Sequence, residues 1–143
     1  MGLMDKLLGK DKEYPPLDAD SPAAKRLDEL RQPLESLVRD VSEPVEVVTT
    51  TEGSLYAFIG KPPKKFGLAW IHGDEVSNMK ALVEQKNLSP IKMERLVDQL
   101  REAYQRSEDA PRYATSIADE QVVVTLSDDL GRDVHALIRQ VAD

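Results

Sequence analysis

Apolar residues in this chain repeat with two different spacings, and the positions where the spacing changes constrain the fold more than any other feature. From 21 to 44 they recur every three or four residues, which is the spacing of one face of an α-helix. Ser21 followed by Pro22 is typical of a helix start, and Pro33 predicts a helix that is kinked or split into two. From 45 to 72 apolar and polar residues alternate instead. This alternation predicts three strands, at 45–51, 55–59 and 66–72.

Helical spacing returns in the second half of the chain, gives way to strands, and resumes at the end. Two helices are predicted within 77–106, and the second begins at Ser89 and Pro90. Two further strands, at 113–118 and 121–126, precede a last helix from Ser127. The order α-βββ-αα-ββ-α predicts one α+β domain over residues 21–143. Short connections favour a five-stranded, mostly antiparallel sheet with about four helices.

Residues 1–20 are predicted to form a flexible N-terminal tail. An apolar stripe between Leu3 and Leu8 spans only two helical turns, and isolated helices of that length are marginal in water. The alternative is that residues 1–10 order against a membrane surface or another subunit.

Composition excludes several classes of chemistry. The chain has no cysteine, which removes disulfides, thiolate metal sites and cysteine nucleophiles and fits a reducing cytoplasm. Its 19 basic and 26 acidic side chains leave a net charge of −7, which disfavours nucleic acid as a partner. No apolar run is long enough to span a bilayer, and the start of the chain lacks the apolar core of a secretory signal. We therefore expect a cytoplasmic protein. We also expect no cofactor, because phosphate-binding glycine loops are absent from the sequence.

The end of the third predicted strand holds the one cluster of residue types suited to ligand binding. His72 is followed there by Asp74 and Glu75, and Lys80 could orient an anion. Alternation places His72 on the same face as Trp70, so we expect it to be partly buried. A polar residue at the point where a strand leaves the core explains the same pattern without a ligand. His135, the other histidine, lies off the apolar stripe of the last helix and is expected to be exposed.

A basic loop joins the second and third predicted strands. Lys61, Lys64 and Lys65 flank two prolines, and Phe66 follows directly. Such a loop could contact a phosphate, a nucleic acid or an acidic partner, with Phe66 and Trp70 as an aromatic platform beside it. A solvated hairpin loop whose lysines discourage association between sheet edges is the alternative.

No segment carries the motif of a named family, and no residue is assigned a catalytic or metal-binding role. The predicted helices carry more apolar stripes than one sheet face can cover, which favours a protein partner and a homodimer. We therefore interpret the chain as a small cytoplasmic interaction or regulatory module without catalytic activity. The alternative is a small-molecule, metal-binding or hydrolytic protein whose site lies near the end of the third strand.

Overall fold

The structure, a computed structural model, describes residues 14–50, 53–72 and 75–142. Its elements in chain order are α1 (Pro22–Glu29), α2 (Arg31–Asp40), β1 (Val45–Thr49), β2 (Ser54–Lys61), β3 (Lys65–His72), β4 (Glu75–Asn78), α3 (Met79–Lys86), α4 (Pro90–Arg106), β5 (Arg112–Ile117), β6 (Glu120–Thr125) and α5 (Asp128–Ala142). The α+β class is confirmed, while the prediction of five strands and about four helices is wrong by one of each.

Proline accounts for the additional helix. Pro33 lacks the amide hydrogen that would bond to the carbonyl of Glu29, and α1 ends at that residue. Pro33 itself is tolerated because it lies in the first turn of α2, where amides have no partner within the helix. Leu30 joins the two helices, and its amide still donates to the carbonyl oxygen of Arg26 at 3.2 Å.

Helix caps follow the sequence closely. The Ser21 side chain accepts from the amide of Ala24, and the Ser89 side chain accepts from that of Lys92, both at 3.2 Å. Each serine stands before a proline at the start of its helix. The N-cap of α3 is Asn78 rather than Ser77, because the Asn78 carboxamide accepts from the amide of Ala81.

The strands form one six-stranded sheet in the order β4-β3-β2-β1-β6-β5. Strands β1 to β4 form an antiparallel meander, and β5 and β6 form an antiparallel hairpin. The two groups join where β1 pairs with β6 in parallel. The strand missing from the prediction is β4, whose four residues are too few to show an alternating pattern of their own.

Helices cover both faces of the sheet. Leu34 of α2 packs with Val47 against what we call the first face, while Val48, the next residue of β1, packs with Leu100 of α4 on the second face. Helices α1 and α2 lie on the first face, and α3, α4 and α5 lie on the second. Because the apolar stripe of each helix that the structure describes packs into the chain's own core, these helices give no argument for a homodimer.

The two edges of the sheet differ. Residues 15–17 run along β5, where the Ala114 amide donates to the carbonyl oxygen of Pro15 and the Leu17 amide donates to that of Ala114, both at 2.9 Å. Leu17 also packs against the core of the first face. Residues 15–17 belong to the segment 1–20 that is predicted to be a tail. The apolar stripe of that tail, between Leu3 and Leu8, lies outside the described residues. At the opposite edge, β4 pairs with β3 alone among the described residues.

Candidate functional site

His72 is the last residue of β3 and is hydrogen-bonded to Ser54, its partner on β2. Ser54 Oγ and His72 Nδ1 lie 2.8 Å apart. The Ser54 amide donates to the hydroxyl of Thr50 at 3.1 Å, which fixes Ser54 in the turn between β1 and β2. The imidazole is exposed, not partly buried as its face of the strand predicts.

The four residues predicted to surround this site are only partly brought together. Glu75 lies opposite His72 in the register of β3 and β4, so these two side chains share the second face. Lys80 lies in the first turn of α3 and is exposed, and Asp74 lies outside the described residues. Nowhere in the described part of the chain do three histidine or carboxylate side chains converge as metal ligands would.

A second imidazole is held in the same way. Tyr56 Oη and His135 Nδ1 are 2.7 Å apart, and the Tyr56 ring packs against Trp70 with ring centroids 6.4 Å apart. His135 is therefore half-buried against the sheet, contrary to the expectation of an exposed helical histidine. The sequence gives no signal for this contact, because Tyr56 and His135 are 79 positions apart.

The contact between Ser54 and His72 has the composition of a nucleophile and its base. Ser54 is only 4% exposed, however. Its amide donates to the Thr50 hydroxyl, and it is paired with His72 in the register of β2 and β3. This burial leaves the hydroxyl little access to a substrate. The geometry is that of a structural hydrogen bond anchoring the end of β3.

The basic loop is held against α4 by an arginine. Arg101 Nε donates to the carbonyl oxygen of Pro63 at 2.7 Å, and Arg101 Nη1 lies 2.6 Å from the carboxylate of Asp98. Lys61, Lys64 and Lys65 are exposed, and within the described ranges none of them forms an ion pair.

An aromatic platform beside the basic loop is not formed. The Phe66 ring packs against Phe58 at a centroid separation of 5.5 Å, and Trp70 packs against Tyr56. All of these rings belong to the core of the second face. Phe66 and Trp70 are only partly buried, but each packs against a buried ring, so the two do not form an open stacking surface beside the loop.

A cleft of about 830 Å³ opens between the end of α4 and the start of α5. Arg106 Nη2 lies 3.2 Å from the carboxylate of Asp133, and Arg132 is paired with Asp129. Both of these arginines are thus paired with aspartates of α5 through solvent-exposed contacts, which are weak.

The most exposed part of the sheet is β4. Val76 is 48% exposed and, with Ile91 at 70%, is one of two large apolar side chains so exposed among the described residues. Val76 points to the first face and Glu75 to the second, and both are accessible. The strand combines a backbone edge that no described residue pairs with and an apolar side chain, which is the composition of a strand-pairing surface.

No known protein family, curated protein or solved structure matches this chain. Of the helices that the structure describes, none has the length and apolar content needed to cross a bilayer.

Proposed function

We propose that this chain is a small, cytoplasmic, non-catalytic interaction module whose contact element is the edge strand β4. In this proposal an extended polypeptide segment adds to the sheet beside Glu75–Asn78. Main-chain hydrogen bonds supply the affinity, and the side chains of alternate residues supply the specificity. The observation that carries the proposal is the contrast between the two sheet edges.

That contrast is a physical argument for use of the edge. Proteins usually protect sheet edges with charge, proline, bulges or a covering segment, because exposed edges associate with other chains. Here Pro15 and Leu17 bond to Ala114 and cover the β5 edge. The β4 edge has no such cover among the described residues, and it presents Val76 rather than a lysine.

Val76 and its neighbours also restrict the segment that would bind. Residues directly opposite each other on paired strands project to the same face of a sheet. An apolar side chain opposite Val76, or diagonal to it on the first face, would therefore pack against Val76. A basic side chain opposite Glu75, or next to that position, would meet a carboxylate that forms no ion pair within the described ranges.

The test is selection of short linear peptides from a display library by the purified protein. Retained peptides are then titrated into wild type and Val76→Lys by fluorescence polarisation. We expect Val76→Lys to weaken them by at least about tenfold, because a lysine on an edge strand opposes pairing with another strand. Backbone amide shifts of the protein should centre on 75–78.

Ile91→Lys is the matched control, since it also replaces an exposed apolar side chain by lysine but lies on α4. It should bind the selected peptides as wild type does. Failure to retain any peptide, or peptides that bind Val76→Lys as well as wild type, would contradict the proposed function.

A further inference from the structure

We infer that the segment β4 accepts is the β4 strand of a second copy, paired antiparallel about a two-fold axis. This inference rests on the proposed function, and it adds the identity of the partner. It is carried by the charges at the two ends of the strand. Glu75 begins β4, and Lys80 follows its end by two residues.

Both charged side chains are free to pair with another molecule. Glu75 and Lys80 are exposed, and neither forms an ion pair within the part of the chain that the structure describes. Most described arginines, in contrast, already have a carboxylate partner, as Arg31 has in Asp28. The edge is thus acidic at its beginning and basic just past its end.

An antiparallel two-fold arrangement brings opposite ends of two identical strands together. Glu75 of each copy then approaches Lys80 of the other, and two equivalent attractive contacts flank the paired backbones. A parallel arrangement would instead place Glu75 beside Glu75. The charge pattern therefore favours the antiparallel arrangement.

The pairing register decides where the two-fold axis crosses β4. Residues opposite each other must project to the same face, so the axis can pass through Val76 or through Ser77. In the first register Val76 faces Val76 of the second copy and Glu75 faces Ser77. In the second register Val76 faces Asn78, and Glu75 faces Met79, the neighbour of Lys80. Neither register opposes like charges, but only the second brings Glu75 beside Lys80, so the charge pattern selects the axis through Ser77.

The dimer should be weak, because β4 has only four residues. Interfaces below about 1,200 Å² are typical of transient complexes, so we expect a dissociation constant on the order of 100 µM. Sedimentation velocity from about 10 to about 500 µM, at low ionic strength, covers this range.

The deciding experiment uses charge reversal. In a dimer of the Glu75→Lys variant, residue 75 of one copy and residue 80 of the other are both basic. In a dimer of Lys80→Glu they are both acidic. Each variant alone should therefore dimerise about tenfold more weakly than wild type. When the two variants are mixed, every contact between Glu and Lys is restored and a heterodimer of wild-type affinity should form. Parallel pairing predicts a different pattern, because it already opposes Glu75 to Glu75 and Lys80 to Lys80 in wild type, so neither variant alone would dimerise more weakly than wild type.

Val76→Lys should also abolish the dimer, whereas Ile91→Lys should not, and thermal unfolding of all four variants should confirm that they fold. A wild-type protein that stays monomeric up to about 500 µM would overturn the inference. A dimer that Val76→Lys leaves intact, or two reversed variants that do not associate on mixing, would do the same.

The two proposals fail separately. If wild type is monomeric but selected peptides still bind β4, the second copy is excluded as the partner and the proposed function stands. If β4 forms the dimer but accepts no other peptide, self-association is its only activity and the wider interaction function is wrong.

Discussion

Glu46 has a hydrogen-bond donor for each of its carboxylate oxygens, although it lies between a sheet and a helix. Tyr104 Oη donates to Oε1 at 2.7 Å, and Arg112 Nε donates to Oε2 at 2.9 Å, with Thr125 donating to the same oxygen. Arg112 also donates to the carbonyl oxygen of Ser107, the C-cap of α4. The side chains of Glu46 and Arg112 are only 13% and 9% exposed, so each needs the other to compensate for lost hydration.

Both ionisable partners of Glu46 have shifted pKa values. Burial raises the pKa of Tyr104, and the Glu46 charge raises it further, because each opposes a phenolate. Burial alone would lower the pKa of Arg112, but the Glu46 charge and hydrogen bond outweigh it and the net pKa is raised. Arg112 is therefore cationic and Tyr104 neutral at neutral pH, as the network requires.

Alkaline pH should weaken the contribution of Tyr104 to stability. Above about pH 10 the unfolded chain loses the Tyr104 proton while the folded chain keeps it, so the free energy of unfolding falls as pH rises. At pH 8 we expect Tyr104→Phe to cost about 1–3 kcal/mol, because one oxygen of buried Glu46 loses its donor. The difference between wild type and variant should shrink above pH 10 by at most about 1.4 kcal/mol per pH unit, reduced by solvent at the half-buried ring.

Urea unfolding of both proteins at a series of pH values from 8 to 11 measures this difference. A difference that stays constant across the series would show that the Tyr104 pKa is not raised. Tyr113→Phe is the control at pH 8, since the described hydrogen bonds of Glu46 come from other residues, and it should cost less than Tyr104→Phe.

At the scale of elements, α5 crosses β1 at a glycine. A Cβ atom at Gly131 would lie 3.2 Å from the carbonyl oxygen of Thr49 and 3.3 Å from Cγ2 of Thr50. Thr49 pairs with Leu55 of β2, so its backbone cannot move away without disturbing the sheet. Gly131 is therefore required by the close approach of helix and strand, although a glycine inside a helix is unfavourable by itself.

Gly131→Ala should consequently destabilise the protein. Helix propensity alone would stabilise α5 by about 1 kcal/mol, but overpacking costs about 1–3 kcal/mol, and we expect a net loss near 1 kcal/mol. Urea unfolding with an unchanged m-value is the measurement. Ala136→Gly, at an exposed position of the same helix, is the control and should cost only the propensity difference. A Gly131→Ala variant more stable than wild type would mean that α5 can move away from β1.

At the scale of the whole molecule, the sheet separates two cores. Ile71 belongs to the core of the first face and Ile138 to that of the second. Both cores share the same strands, so the molecule should unfold as one cooperative unit even though side chains on opposite faces do not touch.

Removing one methylene from each core should therefore give additive losses. Ile71→Val and Ile138→Val should each cost about 0.5–1.5 kcal/mol, and the double variant should cost their sum within about 0.5 kcal/mol. Leu55 lies opposite Ile71 in register and in the same core, so combining Leu55→Ala with Ile71→Val is the non-additive control. Urea unfolding gives all of these values. A coupling between Ile71 and Ile138 as large as that of the control pair would show that the sheet transmits strain between its faces.

The candidate site shows how far sequence reasoning could go. The end of β3 at His72 was located correctly because a short alternating run is a local pattern. Its anchor Ser54 is 18 positions away, and β4 is a strand only because β3 offers it a paired edge. Four residues cannot establish a period, so Val76 could not be recognised as an exposed edge residue from sequence.

Local sequence is enough to predict the caps at Ser21 and Ser89, the helix break before Pro33, and the type of most elements. These depend on hydrogen bonds and apolar spacing among residues a few positions apart. Long-range packing sets which helices cover which face, and it places residues 15–17 along one sheet edge while no described residue covers the edge at β4. Those outcomes depend on partners far apart in the chain, whose pairing is selected by the packing of the whole molecule and leaves no local pattern.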